Sequence, residues 1–218
     1  MRSKVDHQCP PWYGKIAGLK FHNLHFCNNK KEHQAPAGAV VINVTSVSRD
    51  FGQALSPMLN DGPIEVGGLT ALTVENIWQY TKVYKEHLGK FAEWKAWRDA
   101  GFANHRGVRY PMGKGSKPEF SYLNKETGKL GYIEARKAIY IPAYQQKLDR
   151  YCVRQVNTII DMLTCTDVWI WDFDVREPNG KTFQDLAEDP SAPLGHGFVL
   201  AKYISNMILA ETGIETFK

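Results

Sequence analysis

Cysteine is scarce in this chain, which carries four cysteines in 218 residues. They are Cys9, Cys27, Cys152 and Cys165. Small secreted domains that depend on disulfides hold many more cysteines at short spacings. The sequence therefore excludes a disulfide-stabilised scaffold of that kind, and we expect the thiols to be reduced.

Long apolar runs are also missing. No window approaches the roughly 20 apolar residues that a helix needs to cross a bilayer. The opening stretch MRSKVDHQCPPWYG lacks the apolar segment of a signal peptide. We therefore expect a soluble, cytoplasmic protein with no membrane partner.

A strong charge of either sign is absent as well. Lysine and arginine number 27 against 23 aspartates and glutamates, which leaves a formal net charge of +4. This balance tolerates a phosphate-bearing ligand but is too weak to diagnose a nucleic-acid-binding protein. Charge therefore decides little about the partner.

Standard metal-binding motifs are absent, although suitable residue types occur near the N-terminus. These residues are His7, Cys9, His22, His25 and Cys27. No Cys-x-x-Cys pair accompanies them, and their spacing matches no standard zinc pattern. We expect no metal and no other cofactor, with histidines in a polar hairpin as the preferred explanation and a zinc site as the alternative.

The chain does contain enough apolar residues for one core, since hydrophobic residues make up 43% of it. We place an N-terminal extension or hairpin arm at residues 1–38 and one domain at residues 39–218. Residues 39–45 are rich in β-branched side chains and predict a strand. Residues 63–73 predict a strand, a Gly-Gly turn, a second strand and the cap of a helix.

Further along the chain, helices alternate with one long connection. Residues 88–102 predict a helix, and residues 104–131 predict a long basic loop. Residues 133–140 and 145–163 predict helices that Pro142 separates. An apolar helix is predicted at residues 197–211.

The segment TVENIWQYTKVYKEH, residues 73–87, predicts a helix with two faces. An apolar face for the core comprises Ile77, Tyr80, Tyr84 and Leu88. The opposite face comprises Glu75, Gln79, Lys82 and Glu86, with Trp78 at its edge. A solvated surface explains most polar helix faces, whereas an indole beside a carboxylate, an amide and an ammonium group also suits a pocket for a planar ring. Both interpretations remain open at this point.

The stretch from Asp167 to Asp172, DVWIWD, predicts a buried strand. Alternation places Asp167, Trp169 and Trp171 on one side and Asp172 on the other. An aspartate after a central strand often caps a loop. A carboxylate at the C-terminal end of an apolar strand is also where ligands and catalysis gather in α/β proteins.

The predicted loop from residue 104 onward combines cations with aromatic residues. The cations are Arg106, Arg109, Lys114 and Lys117, and the aromatic residues are Tyr110, Phe120 and Tyr122. This mixture suits a ligand with a phosphate and a base, including single-stranded nucleic acid. An ordinary solvated loop explains the same residues equally well.

The order of these segments resembles the NADAR superfamily of YbiA-like N-glycosidases. The resemblance rests on residues 43–52, 55–56 and 63–68, followed by Glu75, Trp78, Gln79 and Lys82. It continues through residues 136–138 and the strand from Asp167 to Asp172, and covers about residues 40 to 210. The chain departs from the family pattern at Leu55, Pro57, Val74, Asn76, Ile170, Trp171 and Ser205, so it resembles a divergent member.

The resemblance implies an α+β fold, with a compact and mostly helical domain around a small sheet. It also implies hydrolysis of an N-glycosidic bond between ribose and a base. Family substrates are ADP-ribose attached to guanine, in nucleotides or nucleic acid, and early riboflavin-pathway ribosylamines.

Carried onto this chain, the resemblance gives Glu75, Lys82 and Asp172 as catalytic residues. Substrate-binding residues are then Asn43, Ser46, Arg49, Phe51, Ser56, Trp78, Gln79, Arg106, Asp167 and Trp169. The partner is an ADP-ribosylated or ribosylated base, free or carried by DNA or RNA. The alternatives are a non-catalytic ADP-ribose or nucleotide-binding module and a nucleic-acid-directed base-processing enzyme.

Overall fold

The computed structural model describes residues 20–217 and shows an α+β fold. The strands are β1 (Leu24–Cys27), β2 (Val40–Asn43), β3 (Ile64–Val66), β4 (Leu69–Ala71), β5 (Lys82–Val83), β6 (Phe120–Tyr122), β7 (Lys129–Leu130) and β8 (Val168–Trp171). The helices are α1 (Val74–Tyr80), α2 (Phe91–Phe102), α3 (Tyr132–Ala135), α4 (Ile141–Tyr151), α5 (Val153–Leu163), α6 (Phe183–Glu188) and α7 (His196–Thr212). The expected fold class is confirmed.

A parallel sheet with strand order β1-β8-β2 lies at the centre of the fold. The predicted strands at residues 39–45 and 167–172 are confirmed as β2 and β8. In β8, Val168 and Ile170 are fully buried, whereas Trp169 and Trp171 face the other side and are half-buried. The predicted alternation along this strand is therefore confirmed.

Strand β1 belongs to the segment that we assigned to an N-terminal extension. It pairs in parallel with β8, with Leu24 opposite Val168 and Cys27 opposite Trp171. Phe26 and Cys27 are buried in the same core as the rest of the domain. The central sheet therefore extends across the boundary expected at residue 38, and β1 pairs with β8 rather than within a hairpin. Residues 1–19 lie outside the described residues.

The main core lies where helices α4, α5 and α7 pack around the central sheet. Phe198, Ile204, Ile159 and Ile170 are fully buried there. Helix α7 confirms the apolar helix predicted near residues 197–211. Within residues 20–217, no helix combines the length and apolarity needed to cross a membrane.

A hairpin leads into helix α1, as the sequence predicts. Strands β3 and β4 pair in antiparallel fashion. Gly67 and Gly68 form the turn with φ angles of 55° and 79°, which glycine adopts without a Cβ clash. The Thr73 side chain accepts a hydrogen bond from the Asn76 N–H at 3.0 Å and caps the helix.

Helix α1 is shorter than the predicted helix and ends at Tyr80. The next residues, Lys82 and Val83, form strand β5 and pair with β6. The Tyr122 N–H donates to the Thr81 carbonyl at 2.8 Å. This carbonyl therefore bonds to a neighbouring strand and not to an N–H group further along a helix. Leu88, expected in the core, is 47% exposed because the chain has left the helix before it.

The region predicted as one long loop contains two strands. Residues 120–122 and 129–130 form β6 and β7, which complete a second sheet in the order β5-β6-β7. Short strands of two or three residues leave too little sequence periodicity to detect. Strand β6 pairs with β5, which is distant in the sequence, and this pairing holds the two short strands in the sheet.

The helical region after Gly131 has a different break from the predicted one. Helix α3, a π-helical turn at Arg136–Tyr140 and helix α4 are consecutive. Pro142 lies in the first turn of α4, where a missing N–H is tolerated. The break occurs instead at Cys152, between α4 and α5. Helix α6 was not predicted.

Candidate functional site

Two adjoining cavities lie between helix α1, the π-helical turn and the loop after β8. The larger has a volume of about 220 Å³ and the smaller about 80 Å³. Both are lined by Glu75, Arg109, Tyr140 and Asp174. We call the two cavities together the cleft. Lys82 lines the larger cavity and Asp172 the smaller, with Glu75 common to both.

Glu75 holds the central position because the hairpin fixes the start of α1. Its N–H donates to the Pro57 carbonyl at 3.0 Å, and its side chain is 7% exposed. Burial raises the pKa of the Glu75 carboxyl, while a hydrogen bond from Gln79 and the charges of Lys82 and Arg109 oppose the rise. The residue is therefore a desolvated carboxyl that two cations and one amide accompany in the cleft.

Gln79 joins Glu75 to Lys82. Its Nε2 donates to Glu75 Oε1 at 2.8 Å, and its Oε1 accepts from Lys82 Nζ at 2.6 Å. An amide in this orientation satisfies an ammonium group on one side and a carboxylate on the other. Burial lowers the pKa of Lys82 to about 8, and the Glu75 charge limits the fall.

The backbone of Lys82 is also held in place. The buried Trp94 indole donates from Nε1 to the Lys82 carbonyl at 3.1 Å. Lys82 Nζ lies 4.6 Å from the centroid of the Trp78 ring, which adds a cation–π contact. The side chain thus enters the cleft from a strand rather than from the predicted helix.

Arg109 brings a cation to both cavities. The sequence placed it in the basic loop, but it was not among the site residues implied by the resemblance. Its Nη2 donates to Asp174 Oδ2 at 3.0 Å. Burial raises the pKa of Asp174, and the guanidinium of Arg109 opposes that rise. The signals in the sequence were the basic segment around Arg109 and a second aspartate shortly after the DVWIWD stretch.

Aromatic side chains form one wall of the larger cavity. Trp78 lies with ring-centroid distances of 5.3 Å to Tyr140 and 6.2 Å to Tyr132. Burial raises the pKa of Tyr140 well above its usual value, so its phenol remains a neutral donor. Trp78 also packs against the core, so its ring both lines the cavity and contacts the core.

Arg136 contacts both the aromatic wall and the chain segment that follows α6. Its guanidinium is 4.5 Å from the Tyr132 ring centroid and donates to the carbonyls of Leu186, Ala187, Asp189 and Ala192. Those carbonyls belong to the end of α6 and the following loop, which supplies Pro193 and Leu194 to the cavity. The π-helical turn thereby connects the aromatic wall to that loop.

Asp172 follows β8, lies against the first turn of helix α7 and is 2% exposed. Its Oδ2 accepts from the Gly197 N–H at 3.0 Å and lies 3.2 Å from His196 Nδ1. His196 Nε2 is 2.8 Å from the Val44 carbonyl, so both ring nitrogens face acceptors. Asp172 therefore caps a helix as well as lining the smaller cavity.

Several predicted residues do meet in the cleft. Glu75, Trp78, Gln79 and Lys82 line the larger cavity, and Glu75, Ser46, Ser56 and Asp172 line the smaller. Ser56 is buried and its hydroxyl accepts from the Met58 N–H at 3.3 Å. The polar face predicted from the sequence therefore lines a cavity, except for the exposed Glu86.

Other predicted residues are not among the described residues that line either cavity. Asn43 Oδ1 accepts from the Thr45 N–H and hydroxyl and shapes the turn after β2. Phe51 packs against the core. Arg49 and Arg106 are exposed. The substrate-binding role expected for these four residues is not supported, because their side chains serve a turn, the core or the surface.

Asp167 and Trp169 are also outside the cleft. Asp167 precedes β8 and Asp172 follows it, which separates the two carboxylates by roughly 16 Å along the strand. Asp167 lies beside His22 and His25 at 3.5 Å and 3.2 Å. Trp169 stacks on His25 with ring centroids 4.7 Å apart. The structure therefore does not bring Asp167 and Trp169 to the cleft, because they lie on the opposite end or face of the strand.

Metal-ligand types do occur around β1, where His22 and His25 flank the Asp167 carboxylate. Within residues 20–217, no group of three or more His, Cys, Asp or Glu side chains has an arrangement that could hold a metal ion. His7 and Cys9 lie outside the described residues.

The chain belongs to a protein family of unknown function, DUF6939, whose sequence profile matches residues 26–200. No curated protein and no solved structure matches the chain significantly. The matched range includes every residue that lines the cleft. Because the function of this family is unknown, the resemblance to NADAR proteins stays a prediction.

Proposed function

We propose that this protein is an N-glycosidase that hydrolyses the bond between ribose and a nucleobase, with ADP-ribose on guanine as the leading substrate. The observation that carries the proposal is the Glu75–Gln79–Lys82 chain of hydrogen bonds in the cleft. It places a desolvated carboxyl and an ammonium group of lowered pKa on one wall. These are the two kinds of group that such a reaction needs.

Cleavage of this bond leaves its electron pair on the base nitrogen and positive charge on the sugar. In the proposed reaction Glu75 stabilises the cationic sugar and accepts a proton from the water that attacks the anomeric carbon. Lys82 donates a proton to the departing base, and its pKa of about 8 suits proton donation near neutral pH. The products are the free base and a sugar with a new hydroxyl group.

The remaining cleft residues fit the other parts of such a substrate. Arg109 would bind the phosphate groups of the substrate, because its guanidinium is half-exposed and lines both cavities. Trp78 and Tyr132 offer aromatic surfaces to a planar base. Tyr140 offers a neutral hydroxyl donor beside Glu75.

A non-catalytic ADP-ribose-binding module is the second candidate. Asp172 favours it, because this carboxylate is occupied by the Gly197 N–H and His196 and is thus less suited to transfer a proton. Both candidates bind ADP-ribose in the cleft, but the module releases no base. The two are therefore distinguished by product formation.

The test is incubation with ADP-ribosylated guanosine and with ribosylated pyrimidines, followed by mass spectrometry of the released sugar and base. The proposal predicts release from at least one substrate by the wild type and none by Glu75→Gln. ADP-ribose binding without release from any substrate would favour the module.

A nucleic acid that carries the base is a further form of the substrate. Arg109 and Tyr110 come from the predicted basic loop and line the larger cavity, while Lys114 and Lys117 of the same loop are exposed. Phosphate contacts release counterions, so turnover of such a substrate falls steeply as salt increases. A flat salt dependence would indicate a free nucleotide.

A further inference from the structure

A second, largely apolar cavity lies behind strand β5, away from the cleft. It has a volume of about 440 Å³ and is lined chiefly by Val83, Phe91, Trp94, Phe120, Tyr122 and Lys129. We call it the aromatic groove. Its volume is in the range of small-molecule sites, roughly 300–1,000 Å³. None of its lining residues belongs to the cleft.

One aromatic ring of the groove packs edge to face against two others. Tyr122 meets Phe91 at 6.0 Å and Trp94 at 5.7 Å, in both cases nearly perpendicular. Phe91 is 60% exposed at the rim, whereas Trp94 is 1% exposed at the base. A planar ring that enters the groove would bury the exposed face of Phe91 against partners already held in place.

One cation accompanies these rings. Lys129 Nζ lies 4.7 Å from the Phe120 ring centroid, and Lys129 forms no ion pair with another described residue. An acidic group on the ligand would give this ammonium group a partner at the edge of the groove. The chemistry of the lining thus matches an aromatic ring that bears an anionic group.

We propose that the aromatic groove binds a small aromatic anion and that this binding stabilises strand β5, which carries Lys82. A second copy of the chain fits less well. A stable protein interface buries about 1,200 Å² or more, whereas the aromatic groove is a concave cavity of small-molecule volume.

The link to the cleft is strand β5 itself. Val83 lines the groove and the adjacent Lys82 lines the cleft, because successive side chains of a strand point to opposite faces. Trp94 lies in the groove and donates to the Lys82 carbonyl at 3.1 Å. A ligand that contacts Val83 and Trp94 therefore restrains the backbone of the residue that supplies the cleft ammonium group.

Binding is tested with anilinonaphthalene sulfonate, an aromatic anion that fluoresces in apolar sites, and with the uncharged N-phenylnaphthylamine. We expect saturable binding of both by the full chain. Phe91→Ala should weaken both by about tenfold because it removes a ring surface. Lys129→Met should weaken only the sulfonate, by about fivefold.

The matched controls are Phe173→Ala, which removes an exposed ring at the cleft, and Lys117→Met, which removes an exposed ammonium group elsewhere. Neither should change binding of either dye. Equal affinity of Phe91→Ala and the wild type, or weakening by Phe173→Ala instead, would overturn the proposal. So would a dimer that Phe91→Ala dissociates, because the groove would then be a contact between copies.

The effect on β5 is tested by hydrogen exchange, which needs no enzymatic activity. Tyr122 and Glu119 N–H groups donate to the Thr81 and Val83 carbonyls, both at 2.8 Å. Saturation with the sulfonate should slow exchange of these amides by at least about twofold, since a ligand of the folded groove opposes local opening. Unchanged exchange at saturation would show that the groove is not coupled to Lys82.

Discussion

Glu75 and Lys82 share one hydrogen-bonded amide, although they lie in different kinds of secondary structure. Glu75 is in the first turn of α1 and Lys82 is in β5, with the Gln79 side chain between them at 2.8 Å and 2.6 Å. The turn from helix to strand after Tyr80 thus brings a carboxyl and an ammonium group to one wall of the cleft. The proposed chemistry rests on this arrangement.

Replacement of Lys82 should change how stability depends on pH. Burial lowers the pKa of Lys82 to about 8 from 10.5, so between these values the unfolded chain holds a proton that the folded chain has lost. The free energy of unfolding contributed by this group therefore rises with pH in that window. In Lys82→Met this rise in the free energy of unfolding should be missing between pH 8 and about 9.5. The upper limit avoids the pH range in which ordinary tyrosines titrate, at about pH 10.

Urea unfolding at several pH values measures this difference against the wild type. The exposed Lys85→Met is the matched control and should keep the wild-type slope. A Lys82→Met slope equal to that of the wild type would show that the ammonium group is solvated.

Replacement of Asp172 should reduce stability, because its carboxylate caps α7 and contacts His196. We expect Asp172→Asn to lower the free energy of unfolding by about 1–3 kcal/mol, the cost of an impaired buried hydrogen-bond network. Exposed Asp161→Asn is the control and should stay near the wild type. An Asp172→Asn protein of unchanged stability but without turnover would instead give Asp172 a direct role in the reaction.

Replacement of Trp78 should affect binding and stability together, since the ring lines the cavity and packs on the core. Trp78→Ala should weaken ADP-ribose binding by roughly 1–3 kcal/mol if the ring stacks on the base. Its loss of stability should be smaller than that of Trp94→Ala, for which a buried indole predicts about 3–5 kcal/mol. Calorimetric titration and urea unfolding of the same proteins check both values. Unchanged affinity with a large loss of stability would assign Trp78 to the core alone.

Much of the cleft could be predicted from the sequence because local rules place it. Thr73 caps a helix, which puts Glu75 in the first turn and Gln79 one turn later on the same face. Lys82 joins them even though the predicted helix has ended, because the turn into β5 keeps its side chain on the cleft side. The sequence thus grouped Lys82 correctly with Glu75 and Gln79, although it predicted a helix at Lys82 where the structure has a strand.

The rest of the cleft depends on contacts between distant residues. Arg109 reaches the site through an ion pair with Asp174, and His196 through the packing of α7 beside β8. Neither contact leaves a periodic signal in the sequence. The sequence grouped Asp167 with the cleft residues although it lies at the other end of β8, because a strand pattern does not show which of its two ends borders a cavity.

The most direct test of the central claim is turnover of ADP-ribosylated guanosine in water labelled with heavy oxygen, with Glu75→Gln and the exposed Glu86→Gln as a matched pair. The wild type and Glu86→Gln should release guanosine and ADP-ribose, with the labelled oxygen at the anomeric carbon of the ribose that was attached to guanine. Glu75→Gln should fold and bind ADP-ribose but release neither product, because the amide keeps the shape of the carboxyl without its charge. Label incorporation by Glu75→Gln at the wild-type rate would contradict the account.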